Sequence, residues 1–486
     1  MNPSTFRFLF VLVGVLLLLS VGGKVTASRI MPEDLLYRGT FRLPSPEGDG
    51  LGWTYGGGGM TYYPMGDMEG PADGYPGSIF GIGNDLLFQV SEISIPEPRI
   101  SPTKNLEELN TATTLQDFSD VLGGMFRPIS ADWIIGDIEY LERQGDQTTD
   151  KLHLTFGEHF QWESTPSHGW TDLTLANPRP AGPWYLSDYE NFATDDYLFE
   201  IPSSWADQYT PGLRLATGRF KDGSLGGSGP ALFAFGPWNE RNPPPPNTRL
   251  TRVVPLLLYG KGYISEEEGM VMRGFTHADR WSGGAWITSG ERSAVIFTGT
   301  KGRGNAWYGF ANGVVWPMEG SGPYPEIPPP PYDERGWWAD SFEGVILFFD
   351  PQDLAQVAQG TLAPYEPQPY AELNMDPYLY NIQGSLRWDH VAAMSYDRTR
   401  GILYLMEPFA DGDQPLVHVF QVRSEGSSST AAPTTIRETI GELGTTSLPD
   451  GIPNKGSEGT SPQDISLLYA PILAIPFAFL LRRRPK

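Results

Sequence analysis

The sequence of 486 residues contains no cysteine and is poor in basic residues. The first absence excludes disulfide bonds, thiol catalysis and cysteine-ligated zinc, so the stability of the folded part must come from its core. The second leaves 34 Lys and Arg against 58 Asp and Glu, a formal net charge of −24. Proteins that bind a phosphate backbone need a basic stripe, and none is visible in this sequence. We therefore expect no nucleic-acid partner.

Long hydrophobic runs occur only near the two ends of the chain. Close to the N-terminus, Arg7 precedes an apolar run over residues 8–19, and residues 25–27 read Val-Thr-Ala. A positive residue, an apolar run and a small-x-small site in this order predict a signal peptide over residues 1–27. An uncleaved membrane anchor is the alternative, because residues 20–23 extend the apolar run towards spanning length.

Residues 465–481 form the second apolar run, which is close to the shortest length that crosses a bilayer. Three arginines at 482–484 follow it and would stay on the cytoplasmic side. This layout resembles the C-terminal sorting tails of prokaryotic surface proteins. Residues 465–486 are therefore predicted to form a transmembrane or sorting helix with a basic tail, and a plain anchor and a processed sorting signal both remain open. Either one predicts an exported protein held at the extracellular face of the cell membrane.

Residues 424–464 are rich in Ser, Thr, Gly and Pro and contain no aromatic residue. Such a segment has too little apolar surface to fold, and it predicts a flexible stalk. The stalk would hold the preceding folded part away from the membrane.

Between residues 29 and 423 the apolar residues fall into short runs broken by Gly, Pro, Asn and Asp, which is typical of an all-β protein. Six units of strand, turn and strand follow one another, at residues 57–96, 129–160, 184–205, 213–259, 286–350 and 390–422. Their repetition predicts a β-propeller of about six blades over residues 29–423. Seven blades, or a pair of β-sandwiches, are the alternatives. Residues 37–43 are expected to complete the last blade and close the ring.

Several of these segments also resemble a known family. They are residues 55–58 (Tyr-Gly-Gly-Gly), 82–85 (Ile-Gly-Asn-Asp), 89–96, 198–202, 229–232 and 417–422. In this order and spacing they resemble secreted bacterial proteins that are described as β-propellers and have no assigned activity. The resemblance implies the fold and export, and no particular chemistry. Members of that family often have His where this chain has Asn84, so a metal or base role of that position would be weakened here.

The loop over residues 66–74 holds Asp67, Glu69 and Asp73 among glycines and a proline. Carboxylate oxygens are the ligands that Ca²⁺ prefers, so these three residues are candidate metal ligands and calcium is the candidate cofactor. Their spacing does not match an EF-hand. A solvated acidic turn is the alternative, because an acidic protein has many such turns.

Four polar residues border predicted strands at Gly-rich positions and are candidate catalytic residues: His277, Asp279, His390 and Asp85. An imidazole and a carboxylate together supply a general base, and we expect these residues near the axis of the propeller. No nucleophile motif accompanies them. Structural hydrogen bonding at a blade edge is therefore the alternative.

Trp281, Trp286, Arg303 and Trp307 come from the same region and are candidate binding residues. Exposed indole rings stack on the flat apolar faces of sugars, and a guanidinium adds hydrogen-bond donors. The alternative is that these aromatic residues are wedged between blades as part of the core.

Two classes of function follow from these observations. The first is a surface-anchored binding or scaffold module for glycan or surface-protein partners, indicated by the stalk, the aromatic residues and the missing catalytic motif. The alternative is an extracellular, calcium-assisted hydrolase or lyase with its site at the channel of the propeller. Fold alone does not choose between them. Convergence of the candidate acidic and histidine residues at one end of the channel would favour the enzyme.

Overall fold

A computed structural model describes residues 29–45, 52–67, 70, 74–84, 87–126, 133–158, 164–219, 226–261, 269–317, 322–381 and 389–424. The predicted signal peptide, nearly all of the predicted stalk and the C-terminal apolar run lie outside these residues, as do Glu69, Asp73 and Asp85. Within the described residues, no helix is both long enough and apolar enough to cross a membrane.

The described strands form five sheets arranged as a β-propeller, with two short α-helices. Strand β1 spans Leu35–Arg42. Blade 1 contains β2 (Met60–Tyr63), β3 (Ser78–Ile82), β4 (Gln89–Ser94) and β5 (Thr114–Asp120), and blade 2 contains β6 (Trp133–Leu141), β7 (Lys151–Glu158), β8 (His168–Thr171) and β9 (Ala181–Leu186). Blade 3 contains β10 (Tyr197–Glu200), β11 (Leu215–Gly218), β12 (Leu232–Phe235) and β14 (Val254–Leu257), while β13 (Arg249–Leu250) pairs in parallel with β9.

Blade 4 contains β15 (Arg280–Ser289), β16 (Arg292–Phe310), β17 (Arg335–Phe349) and β18 (Ala371–Asn374). Blade 5 contains β19 (Met394–Asp397), β20 (Ile402–Asp411), β21 (Gln414–Val422) and the N-terminal strand β1. Helix α1 spans Ser203–Tyr209, and helix α2 spans Pro351–Ala358.

The expected count of six blades is wrong, because one of the six sequence units is divided between two sheets. Trp184 lies in β9, at the outer side of blade 2, whereas Tyr197–Glu200 forms β10, the innermost strand of blade 3. A strand pattern shows where strands occur but not which sheet each one joins. The β-propeller itself is confirmed, with five blades in the described residues.

The predicted closure of the ring by the N-terminal strand is confirmed. Strand β1 pairs antiparallel with β21, from Leu35 opposite Val422 to Arg42 opposite Leu416. A buried network reinforces this pairing, because His418 Nδ1 lies 2.9 Å from Thr40 Oγ1 and His418 Nε2 lies 2.9 Å from Glu407 Oε2. Strands from the two ends of the folded part therefore share blade 5.

Strands β16 and β17 are the longest in the described residues, and together they extend beyond their sheet. Strand β15 pairs with β16 only as far as Thr300, and β18 pairs with β17 only from Val345 onward. The pairing of β16 with β17 continues to Phe310 and Arg335. Residues 303–310 and 335–342 thus form a two-stranded projection, which we call the blade-4 extension.

The ends of the described chain lie at the opposite end of β16 from this extension. Arg29 forms an isolated bridge with Ser293, and the Arg292 guanidinium donates a hydrogen bond to the carbonyl of Arg423. Since β16 begins at Arg292 and runs to Phe310, its length separates Arg29 and Arg423 from the blade-4 extension.

Candidate functional site: the axis and the blade-4 extension

Two acidic residues of β6 connect the innermost strands around the axis. Strands β2, β6, β10, β15 and β19 contact one another in a ring. Asp137 is fully buried, and its Oδ1 accepts a hydrogen bond from the backbone N–H of Met60 at 3.0 Å. Its Oδ2 accepts one from the N–H of Leu198, also at 3.0 Å. The Asp137 carboxyl group therefore links blades 1, 2 and 3.

Glu139 lies two residues further along β6 and makes the same kind of connection. Its Oε2 accepts a hydrogen bond from Thr61 Oγ1 at 2.8 Å, and its Oε1 accepts one from the N–H of Glu200 at 3.0 Å. Burial raises the pKa of Glu139 to about 8, and the neighbouring Glu200 carboxylate adds to this increase. Burial also raises the pKa of Asp137, although its backbone N–H donors act in the opposite direction.

The cavity beside Glu139 is small. It has a volume of about 20 Å³, and Glu139, Glu200, Ser395 and Arg398 are among the residues that line it. The Arg398 guanidinium donates a hydrogen bond to the carbonyl of Trp286 at 2.9 Å, which holds it across the space. A cavity of this size accommodates about one water molecule and is too small for a sugar ring.

The described candidate catalytic residues do not line this cavity. Asp279 is buried and accepts hydrogen bonds from Lys301 Nζ at 2.8 Å and from the N–H of Gly302 at 3.0 Å, so it fixes the loop before β15 to β16. His390 is also buried, and its Nδ1 lies 3.2 Å from Asp376 Oδ1. His277 belongs to a different environment, described below.

The candidate binding residues divide into two groups. Trp281 and Trp286 are 0% and 1% exposed and belong to the core cluster of blades 3 and 4, so neither indole reaches a surface ligand. Arg303 is half-buried, and it contacts Glu343 at 2.8 Å and Glu372 at 2.7 Å. Trp307 is half-buried and donates from Nε1 to the carbonyl of Phe310 at 3.0 Å. The two buried tryptophans are therefore part of the core, which was the alternative for these residues.

The acidic loop is described only in part. Asp67 Oδ1 accepts a hydrogen bond from the N–H of Gly70 at 2.9 Å, which closes a turn. The other two candidate ligands lie outside the described residues, so the calcium site stays a prediction. In the part of the chain that the structure describes, no three His, Asp or Glu side chains are grouped as a metal site would require.

A larger space lies at the base of the blade-4 extension. This groove has a volume of about 440 Å³, which is within the range of small-molecule sites. Its lining residues, which combine apolar, polar and backbone surface, are Val271, Phe275, Thr276, His277, Gly304 and Ala306.

A row of aromatic side chains continues from this groove along the extension. His277 stacks on Trp337, with ring centroids 4.4 Å apart and planes 22° apart, and Trp337 lies 5.6 Å from Tyr308. At the far end, Trp316 stacks on Tyr324 at 4.8 Å and 19°. We call these five residues the aromatic row. Tyr324 is 52% exposed and the other four are half-buried, so the row is accessible from solvent.

Arg335 lies within the row, between two of its rings. Its guanidinium carbon is 4.4 Å from the ring centroid of Trp316 and 5.8 Å from that of Tyr308. The register explains this placement. Strand β17 pairs Trp337 with Tyr308 and Arg335 with Phe310. Since residues two apart on a strand face the same side, Arg335 and Trp337 share one face.

Five residues of these two regions were not among the candidates expected from the sequence: Asp137, Glu139, Arg335, Trp316 and Tyr324. A signal existed for the first pair, because two acids two residues apart interrupt the apolar run at 133–140 on a single strand face. The alternation of Arg335 with Trp337 was a similar signal. Trp316 and Tyr324 follow from no local pattern, since only the fold brings them to Arg335.

No protein-family model matches this chain, and no curated protein matches it. Among solved structures, the phage phi92 endosialidase is similar, with 10% sequence identity and a TM-score of 0.31. The match covers 83% of this chain and 55% of that chain, so it spans about half the length of the endosialidase. The likeness is distant and supports no argument about function.

Proposed function

We propose that this protein is an extracellular binding module that holds a glycan in the groove and along the aromatic row of blade 4. One observation carries the proposal: a groove of about 440 Å³ opens onto a row of solvent-accessible rings, whereas the axis cavity has only about 20 Å³. Ligand sites combine apolar and aromatic walls with a few polar groups. Thr276 and His277 supply such polar groups in the groove.

The chemistry of the row suits a saccharide. Sugar rings have flat C–H faces that pack against aromatic rings, and an extended chain of sugars matches an extended series of rings. The aromatic row offers such rings to solvent, because Tyr324 is exposed and Tyr308, Trp316 and Trp337 are half-buried. A protein partner is the second class of ligand. Exposed aromatic residues are found at protein interfaces of many kinds, so they indicate a protein partner less specifically than a saccharide.

The position of the groove agrees with presentation at a cell surface. Arg29 and Arg423, near the two ends of the described residues, lie at the opposite end of β16 from the blade-4 extension. We propose that residues 1–27 direct export, that residues 424–464 form the stalk, and that residues 465–486 anchor the protein or serve as its sorting signal. The groove would then face away from the membrane. We also propose that this protein belongs to the secreted propeller family that its sequence resembles.

A glycan-binding assay with a matched pair of variants tests the proposal. The full-length protein is titrated with labelled oligosaccharides, and Trp337→Ala is expected to weaken binding by about 10-fold, because a lost stacking contact and its buried area remove about 1.4 kcal/mol. Tyr185→Ala is the control. This tyrosine of blade 2 also has an arginine over its ring, Arg249 at 4.3 Å, but lies outside the row. Unchanged affinity in Trp337→Ala, with thermal unfolding intact, would contradict the proposal.

The alternative, a calcium-assisted hydrolase or lyase at the channel, has one observation in its favour. Glu139 is an acid whose pKa burial raises to about 8, and it lies beside the Glu200 carboxylate, which is a pairing typical of acid–base sites. The size of the cavity disfavours it. Glycan hydrolysis by the wild type, lost in Glu139→Gln and dependent on Ca²⁺, would favour the enzyme over the binding module.

A further inference from the structure

We infer that Arg335 recognises a carboxylate, so that the ligand of the groove and aromatic row is an acidic saccharide built from uronic-acid-type units. This inference rests on the proposed function and names the substrate class of the same site.

Arg335 is half-buried, and its contacts are with aromatic rings. It lies over Trp316 and Tyr308 at 4.4 and 5.8 Å. Among the described residues, its guanidinium forms neither a hydrogen bond nor an ion pair. A guanidinium has five N–H donors in a planar fork, and that fork fits the two oxygens of a carboxylate. The rings hold the fork in place, and no acceptor among the described residues occupies its donors.

Two other arginines of this protein have guanidinium groups that are paired with carboxylates. Arg303, at the base of the same extension, pairs with Glu343 and Glu372. Arg249 stacks on Tyr185 much as Arg335 stacks on Trp316, yet its Nη1 lies 2.8 Å from Asp188 Oδ1. In the part of the chain that the structure describes, Arg335 has the aromatic support of Arg249 but no carboxylate partner.

The charge of the whole protein makes a local contact necessary. At a formal net charge of −24, the protein repels anions at long range, although salt screens this repulsion beyond about 10 Å. An acidic ligand must therefore be held by short-range contacts, and Arg335 supplies one inside the aromatic row. The rings favour a saccharide over an acidic peptide, because they match the repeated flat faces of sugars.

The test uses the full-length protein and labelled oligosaccharides in matched pairs, in which each uronic-acid chain has a carboxyl-reduced, neutral counterpart. The acidic member is expected to bind more tightly. Arg335→Gln should weaken its binding by about 10-fold or more and leave the neutral member unchanged, because a hydrogen-bonded charge pair is lost. Arg335→Lys should recover only part of the affinity, since it keeps the charge and loses the fork. Arg249→Gln is the control and should bind like the wild type.

The outcomes separate this inference from the proposed function. Equal binding of both members of each pair, weakened by Trp337→Ala but not by Arg335→Gln, overturns the inference and leaves the glycan-binding module standing. Binding of no pair contradicts the proposed function itself. Equal Arg335-dependent binding of a poly-glutamate peptide overturns the saccharide class. Thermal unfolding of each variant confirms that Arg335→Gln remains folded.

Discussion

Replacing Glu139 by Gln is expected to change how the stability of the protein depends on pH. The pKa of Glu139 is raised from its ordinary value of 4.5 to about 8 in the folded protein, mainly by burial. Between these two values the native state keeps a proton that the unfolded state releases. The unfolding free energy contributed by this residue is therefore highest below pH 4.5 and falls as the pH rises towards 8.

The size of the effect follows from the same shift. From pH 6.5 to pH 8 the Glu139 contribution falls by about 2 kcal/mol, since each pH unit is worth about 1.4 kcal/mol while the native state holds the proton and the unfolded state has lost it. Gln has no proton to lose. It also has nearly the same shape, and its amide can keep hydrogen bonds to Thr61 and to the N–H of Glu200, which Glu139 contacts at 2.8 and 3.0 Å. In the variant, the unfolding free energy should therefore not show the decrease with pH that Glu139 causes.

Urea unfolding, followed by tryptophan fluorescence at pH values from about 6.5 to 8, measures how the unfolding free energy changes with pH. The unfolded-state titration of His153 and His168, whose ordinary pKa is 6.5, falls at the lower edge of this window, and its contribution is the same in the wild type and the variant. Any slope from Asp137 is common to the wild type and the variant. Glu142→Gln is the control, because Glu142 is exposed at the end of the same strand region. Equal slopes in the wild type and Glu139→Gln would refute the reasoning.

Two further predictions concern buried charge. Burial lowers the pKa of His153 and His168 from 6.5 to about 3, so the native state resists a proton that the unfolded state accepts, and each histidine should cost about 2 kcal/mol of stability by pH 5. The double variant His153→Gln, His168→Gln should therefore lose less stability between pH 6.5 and 5 in urea unfolding, and an unchanged loss would count against this. Asp279→Asn should destabilise the fold by about 3 kcal/mol, because it leaves the Lys301 ammonium, 2.8 Å away, without its buried counter-charge. The exposed Asp117→Asn serves as control in thermal unfolding, and a loss below about 1 kcal/mol for Asp279→Asn would contradict the role of the pair.

Elements whose signals are local could be predicted from the sequence. Helix α2 has such local signals, because Asp350 caps it by accepting a hydrogen bond from the N–H of Gln352 at 2.9 Å and Pro351 begins it. Leu106–Glu108, by contrast, forms only a turn of 3-10 helix, since so short a segment lacks a buried face. Closure of the ring by residues 37–43 was also predicted correctly.

The candidate site was predicted less well, for an identifiable reason. Residue type suggested that Trp281 and Trp286 bind a ligand, yet both pack in the core, because an indole provides as much apolar area for packing as for binding. One candidate residue from the same segment, His277, nevertheless lines the groove. Residue types therefore pointed to blade 4, while exposure decided which of its aromatic residues can meet a ligand.

The sequence by itself determined the all-β class, the repeated strand units and the presence of an N-terminal strand near residues 37–43, because alternation, turn residues and composition act over a few neighbouring positions. Only the tertiary structure decided the number of blades, the Glu139 contacts across three blades and the meeting of Arg335 with Trp316. These features depend on pairings between residues far apart in the chain. Such pairings are set by how whole strands pack, and a local pattern does not encode them.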